Sequence, residues 1–231
     1  RRRVAFSEAV YQGRHLIEGV PAELAPANAV AWDRRAIGVV VDPAGRSWTR
    51  LQPAAVIDAR MRKRPPDPLA GFTGLVIGLG PGFTAPQDAD CVVETHREAR
   101  LGAVITRGRA AADTGVPGTV AGQSHLRVVR APAAGRLEPE ARIGDLVRAG
   151  QLLGTVSGAP VVSPLAGLLR GLVHENAELF PGVKVADIDP RGARVNPDLV
   201  SDKALAVAGG ALEALLAAGI LPRAGTTAGP V

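Results

Sequence analysis

An α/β layer joined to a β module made of one motif folded twice, closed by a C-terminal helix, is the fold class this sequence predicts. Three observations carry it. Valines, prolines and glycines recur at a constant spacing of 32, in Val129/Val161, Pro132/Pro164, Gly135/Gly167, Val147/Leu179, Gly150/Gly182, Leu153/Val185 and Val156/Ile188. Apolar strand-like runs alternate with short helical candidates through the first hundred residues. Ser201-Asp202 opens the one strong helical stretch.

Taken in order, residues 36–41 form a β-branched run that ends at the turn signal Asp42-Pro43-Ala44-Gly45. Over 53–61 the apolar Ala55, Val56, Ile57, Ala59 and Met61 fit a short helix or a second buried strand, and periodicity does not separate the two over so few residues. A basic, proline-rich loop follows at 60–68. Leu75-Val76-Ile77-Gly78 reads as a buried strand running straight into Gly78-Leu79-Gly80-Pro81-Gly82-Phe83, with further strands at 91–94 and 102–106.

The repeat occupies 127–191. Each copy opens with an apolar strand that enters Pro-x-Ala-Gly, at Pro132 to Gly135 and again at Pro164 to Gly167. Neither copy can bury its apolar face alone, so a pseudo-twofold pair with sheets packed face to face is expected. In the last helix Ser201 is the N-cap, Leu205, Leu212, Leu215 and Leu216 fall on one stripe, and Gly209-Gly210 interrupts good helix formers at about 1 kcal/mol each, a sign of close backbone packing. The tail from Pro222 is expected to fray.

Composition narrows the function classes. With 231 residues, 46% of them hydrophobic and 3% aromatic, the cores must rest on Val, Leu, Ile and Ala. The net charge of +5 sits almost wholly on arginine, since lysine occurs only at Lys63, Lys184 and Lys203. Those arginines are dispersed and lack interleaved aromatics, which reads against a nucleic-acid surface. A single cysteine, Cys91, excludes an internal disulfide and fits a reducing cytoplasm. No apolar run approaches the roughly 20 residues a membrane helix needs, because 204–221 contains Glu213 and a Gly-Gly pair. The opening Arg1-Arg2-Arg3, with no initiator Met, suggests a start inside a longer polypeptide.

Candidate binding residues cluster after the central strand. Gly78, Gly80, Gly82 and Phe83 sit where a phosphate-cradling loop belongs, although Pro81 removes a donor and no third glycine stands at the dinucleotide spacing; a plain tight turn is the alternative. Glu94, Thr95 and Arg97 leave the next strand, Glu94 suited to a ligand hydroxyl and Arg97 to an anion, or the two to an ordinary surface pair. Asp88, Asp90, Cys91, Glu94 and His96 are potential metal ligands, but strand alternation splits them between faces, so no metal is expected. Asp187 and Asp189 share a face before Arg191 and suit either acid/base chemistry or a turn closing the module. His15, His125 and His174 are isolated, no Ser/His/Asp set has recognisable spacing, and no catalytic residue is assigned.

Two resemblances add to this reading. Ile143-Gly144-Asp145-x-Val147-x-x-Gly150-Gln151-x-Leu153 and Ser163-Pro164-x-x-Gly167 resemble the biotinyl/lipoyl carrier domains, barrel-sandwich folds of two related halves. Carriers bear a modified lysine on the hairpin between the halves. Here that hairpin reads Ser157-Gly158-Ala159-Pro160 and no lysine lies between Lys63 and Lys184, so no covalent biotin or lipoate is expected and the module should dock or scaffold. Across nearly the whole chain, the segment Val4 to Tyr11, Ile57-Asp58-Ala59-Arg60-Met61, Gly78 to Phe83, Val93-Glu94-Thr95, Thr114-Gly115-Val116-Pro117-Gly118, Asp187 to Gly192 and Ser201-Asp202-Lys203-Ala204 occur in an order that resembles the selenium-dependent molybdenum hydroxylase system proteins, the YqeB group of accessory proteins.

That second resemblance implies a partial Rossmann-like α/β domain at 1–125, a barrel-sandwich module at 126–192, a C-terminal helix at 193–221 packing on the α/β domain and a flexible tail at 222–231. Family members usually start earlier with a Gly-Ala-Gly-Asp loop, so the chain reads as N-terminally truncated. Gly-His commonly follows their Glu-Thr-x-Arg step, where this chain has Glu98-Ala99. The implied work is maturation of a molybdenum hydroxylase, or insertion of its cofactor, in the cytoplasm. The implied ligands are NAD(P), another nucleotide or molybdopterin dinucleotide, and the implied partners are hydroxylase subunits, with self-association left open. An NAD(P)-dependent oxidoreductase and a purely structural adaptor are the alternatives.

Overall fold

The computed structural model describes residues 2–29, 35–61, 69 and 71–220. Residues 62–68 of the proline-rich loop and the tail from Pro222 lie outside them. The chain has a mixed α/β structure with several sheets, few helices and a long C-terminal helix, and it divides into two compact units. One comprises Arg1–Leu24 and Gly115–Leu199, the other Ala25–Thr114 and Val200–Val231. Among the described residues no helix is long and apolar enough to cross a membrane.

The elements in chain order are α1 (Ala9–Gln12), β1 (Arg14–Ile17), β2 (Val20–Leu24), β3 (Ile37–Val39), α2 (Trp48–Leu51), β4 (Ala55–Asp58), β5 (Leu75–Leu79), β6 (Thr84–Ala85), β7 (Cys91–Val93), β8 (Val104–Ile105) and β9 (Gly108–Arg109). They continue with β10 (Val128–Arg130), β11 (Leu137–Pro139), β12 (Leu146–Val147), β13 (Leu152–Val156), β14 (Ala159–Val162), β15 (Gly167–Leu172), β16 (Lys184–Asp189) and α3 (Asp202–Ala217).

In the second unit β4, β5 and β7 run parallel and β8 joins β7 antiparallel. The ambiguous 53–61 segment is thus a strand, its Val56 and Ile57 in register with Val76 and Ile77. Both faces of this sheet are covered, which is why its strands read as unbroken apolar runs. Ile77, Cys91 and Val93 face Ala214, Val207 and Leu215 of α3. Val76, Val92 and Ile105 face Phe83, Ala85, Ala89 and Ala110.

Helix α3 starts as its sequence suggests, with Ser201 Oγ accepting from the Ala204 amide at 3.2 Å. Its buried face is a different one, however. Leu205, Leu212 and Leu216 are 58%, 53% and 45% exposed, whereas Gly210, Ala211 and Ala214 are buried. The expected leucine stripe therefore points away from the sheet, and only Leu215 of the four packs on the core. Small residues win because the helix crosses the Gly102 turn at backbone distance: a Cβ on Gly210 would lie 2.1 Å from the Gly102 carbonyl oxygen, and one on Gly102 would lie 2.5 Å from that of Ala206. Gly209 has open space around it, so only one glycine of the pair answers a packing need.

In the first unit the two copies of the repeat exchange partners. Val128↔Asp187, Val129↔Ala186 and Arg130↔Lys184 across β10 and β16 are matched, 32 residues out in each direction, by Thr155↔Pro160, Gly154↔Val161 and Leu152↔Val162 across β13 and β14. Gly135 pairs with Leu179, and its mate Gly167 pairs with Val147. Loop hydrogen bonds obey the same exchange: Ala131 N donates to Val183 O and Ser163 N to Gln151 O, both at 2.8 Å. Gly182 N donates to Ala131 O, and Gly150 N to Ser163 O. The copies also share one core, in which Val129, Val161, Val147, Leu179, Leu137, Leu169, Leu153, Val185, Val156 and Ile188 are all buried. This is an internal pseudo-twofold expressed in pairing and in packing.

Candidate functional site

The glycine-rich turn closes the C-terminal end of β5, beside the end of its parallel neighbour β7. In open parallel sheets, ligands bind in the crevice beyond these strand ends. Gly80 (φ +75°) and Gly82 (φ +107°) adopt left-handed backbone that other residues enter with strain. Gly80 N donates to Val93 O at 2.9 Å, which ties the turn to β7. A Cβ on Gly80 would lie 2.6 Å from Thr95 Oγ1 and 3.3 Å from Met61 Cε, so the ends of β4, β5 and β7 meet over this glycine.

The other expected ligand residues have structural work. Phe83 is 1% exposed and folds back onto β5, where a Cβ on Gly78 would intrude 2.4 Å from its ring. Both oxygens of buried Glu94 are engaged, Oε1 by the His96 amide and Oε2 by the Ala111 amide, each at 2.7 Å. They staple the loop after β7 instead of presenting a free acceptor. Arg97 does use its planar fork, on Asp202 in the first turn of α3 at 2.7 and 2.6 Å. It does not pair with Glu94. Thr95 is buried beside the glycine turn. Asp88 and Asp90 are likewise occupied, accepting from the Thr84 and Val76 amides, and Cys91 is buried in the core.

One residue of this crevice escaped the sequence reading. Lys203 stands in the first turn of α3 and makes no hydrogen bond or ion pair among the described residues. Burial pushes its ammonium below the usual lysine pKa, neighbouring Arg97 pushes it further, and Glu94 opposes them. A visible signal existed, since a cation at a helix N-terminus opposes the macrodipole and needs a reason to be there. Thr95 thus lies beside the Gly80 turn, and Lys203 interacts electrostatically with Glu94 and Arg97 on the segment that leaves β7, so a cation and left-handed glycine backbone belong to one strand end that suits an anionic group.

The paired carboxylates of β16 lie in the first unit and are bound up in ion pairs. Asp187 meets Arg170 Nη2 at 2.7 Å and Lys184 Nζ at 3.2 Å, with Arg127 Nη2 at 3.7 Å. Asp189, 0% exposed, takes Arg170 Nη1 at 3.1 Å and Arg191 Nη2 at 2.8 Å. Burial raises both carboxyl pKa values, but Lys184, Arg170 and Arg127 around Asp187, and Arg191 and Arg170 around Asp189, outweigh it and hold both below the ordinary carboxylate range. Two carboxylates shifted the same way form a structural lock, not an acid/base pair.

No family model matches this chain. Over 219 residues it is 42% identical to a protein of Escherichia coli (strain K12) named "Uncharacterized protein YqeB". The match covers 94% of this chain and 40% of that protein, so the chain spans about two-fifths of the length of the relative it matches. Across most of its residues, then, the chain is similar to YqeB, a relative whose name assigns no activity.

Proposed function

We propose that this chain belongs to an accessory protein that holds a phosphorylated, nucleotide-type ligand at the ends of β5 and β7 and hands it to a client enzyme. One observation carries the reading: a half-buried lysine that makes no hydrogen bond or ion pair among the described residues interacts electrostatically with Glu94 and Arg97, which follow β7, whose end lies beside the left-handed glycine turn of its parallel neighbour β5. Arg97 is committed to Asp202 and the Gly80 amide to Val93, so Lys203 and the amides of Gly82 and Phe83 are the first phosphate contacts.

The sequence resemblance suggests a molybdenum hydroxylase as the client, with molybdopterin dinucleotide or NAD(P) as the ligand. In this reading the parallel sheet is part of a Rossmann-like layer, and 126–192 is a barrel-sandwich module used for docking. The exchange of partners between repeat copies supports the second assignment, and the Ser157-Gly158 turn, which offers no amine, favours docking over carriage of a prosthetic group.

Calorimetric titration of the chain with molybdopterin dinucleotide, NADPH and ATP tests the proposal. At least one should saturate, and Lys203→Ala should weaken it about tenfold by removing a charged contact. Absence of saturable binding to all three overturns the reading, and so does binding that Lys203→Ala leaves unchanged.

A further inference from the structure

We propose that a cavity in the first unit, separate from the crevice of the second, binds the aminopyrimidinone edge shared by guanine and pterin rings, with Glu8 as its acceptor. The cavity measures about 570 Å³. Two of its walls are repeat mates: Glu140, Ala141 and Ile143 on one side, Leu172, Val173 and Glu175 on the other, each 32 residues from its counterpart. The cavity therefore spans the two copies of the module. Its polar end comes from the N-terminal segment, through Arg2, Glu8 and Gln12.

Glu8 is 4% exposed, yet its carboxylate is only partly satisfied. Oε1 accepts from Gln12 Nε2 at 3.0 Å, and Oε2 accepts from no donor among the described residues. Arg2 Nε stands 3.7 Å from Oε1, at ion-pair distance but beyond hydrogen-bond reach, and is buried without a hydrogen-bond partner among the described residues. Glu8 and Arg2 both line the cavity, and neither Glu8 Oε2 nor the Nη groups of Arg2 make a hydrogen bond among the described residues. The complementary ligand presents an acceptor to Arg2 and one or more donors to Glu8.

A ring carbonyl, a ring N–H and an exocyclic amine in a row supply that set, and a carboxylate takes adjacent N–H donors in a bidentate fashion. The volume is far beyond the roughly 30 Å³ of a single bridging water. Arg3 and His15 also line the cavity but are engaged, Arg3 with Asp198 and His15 with the Arg3 carbonyl. The Arg142 guanidinium makes no ion pair among the described residues and is the cation placed to meet a phosphate. Glu140 and Glu175 restrict the rest of the rim to neutral or cationic parts of the ligand. Tyr11 stacks on His174 with ring centroids 3.7 Å apart, which fixes the segment carrying Glu8 against the 172–175 wall before any ligand arrives.

Titration of the unmodified chain with GMP, neopterin, IMP and AMP provides the test. GMP or neopterin should saturate, and the two arms separate a guanine nucleotide from a pterin. If GMP is the ligand, IMP, which lacks the exocyclic amine, should bind about 10- to 100-fold more weakly, and AMP, whose edge has the opposite polarity, not measurably. Glu8→Gln should lower affinity for the preferred ligand by a similar factor, whereas Lys203→Ala should leave it intact. Failure of both GMP and neopterin to bind overturns the proposal. Equal affinity for GMP, IMP and AMP does so as well, as does a folded Glu8→Gln protein with unchanged affinity. Because the ligand series uses the unmodified chain, its outcome does not depend on how the variant folds, and the Lys203→Ala arm separates this failure from failure of the second-unit reading.

Discussion

The two copies of the repeat share a pairing scheme and differ in chemistry. In the first copy the cross-strand pair Glu138↔Thr155 is a single exposed hydrogen bond, Thr155 Oγ1 donating to Glu138 Oε2 at 3.0 Å. Their mates in the second copy are Arg170 and Asp187, which form a buried ion pair joined by Asp189, Arg191, Lys184 and Arg127. A register shift between Leu169 and Gly171 accommodates Arg170. Arg127 lies over this part of the second copy, 6% exposed and donating to the Gly118 carbonyl at 3.0 Å, and that cover makes the difference. Where water reaches the pair, a hydroxyl suffices; where water is excluded, a carboxylate must be matched by several cations. Symmetry of the backbone therefore does not carry symmetry of function or of stability.

The largest effect that tests this contrast is Arg170→Ala. It strips Asp187 and Asp189 of a shared partner and should cost about 3 kcal/mol or more in the unfolding of the first unit, followed by urea denaturation. A cost under about 1 kcal/mol would show the cluster to be solvated in practice and erase the distinction between the copies.

Acid should expose the same asymmetry. Both carboxyl groups titrate below their unfolded value, so they add stability above about pH 4 that is lost as pH falls through their folded values. Denaturation midpoints measured from pH 6 to pH 2 should fall steeply for the native chain and less steeply for Arg170→Ala. Parallel slopes would place the acid sensitivity elsewhere.

The smallest effects belong to the first copy. Ser157→Ala, at the mate of Asp189, removes a 2.7 Å bond to the Ala134 carbonyl, and Thr155→Ala removes the bond to Glu138. Each should cost about 0.5–1.5 kcal/mol by thermal or urea unfolding. Losses matching that of Arg170→Ala would refute the view that burial sets the difference.

Much of this architecture was legible in the sequence. The strands at Leu75, Cys91 and Val104 announced themselves as apolar runs because both sheet faces are covered, and the 32-residue spacing marked the exchange of partners because equivalent positions need equivalent residues. The leucine stripe of α3 does not mark its buried face, because a backbone crossing at Gly102 selects the smallest residues over the largest apolar ones. At the candidate site the glycine turn could be read from composition. Nothing local showed that Glu94 and Arg97 would be spent on Ala111 and Asp202, since those partners arrive from distant parts of the chain.

By itself, then, the sequence determined where strands and turns fall and that one motif occurs twice, because alternation and glycine spacing act over a few residues at a time. Tertiary structure alone decided which helix face is buried, which copy encloses its charges and which polar atoms beside Glu8 are left unmet. Each of these depends on what water is excluded from, and exclusion is set by segments far apart in the chain.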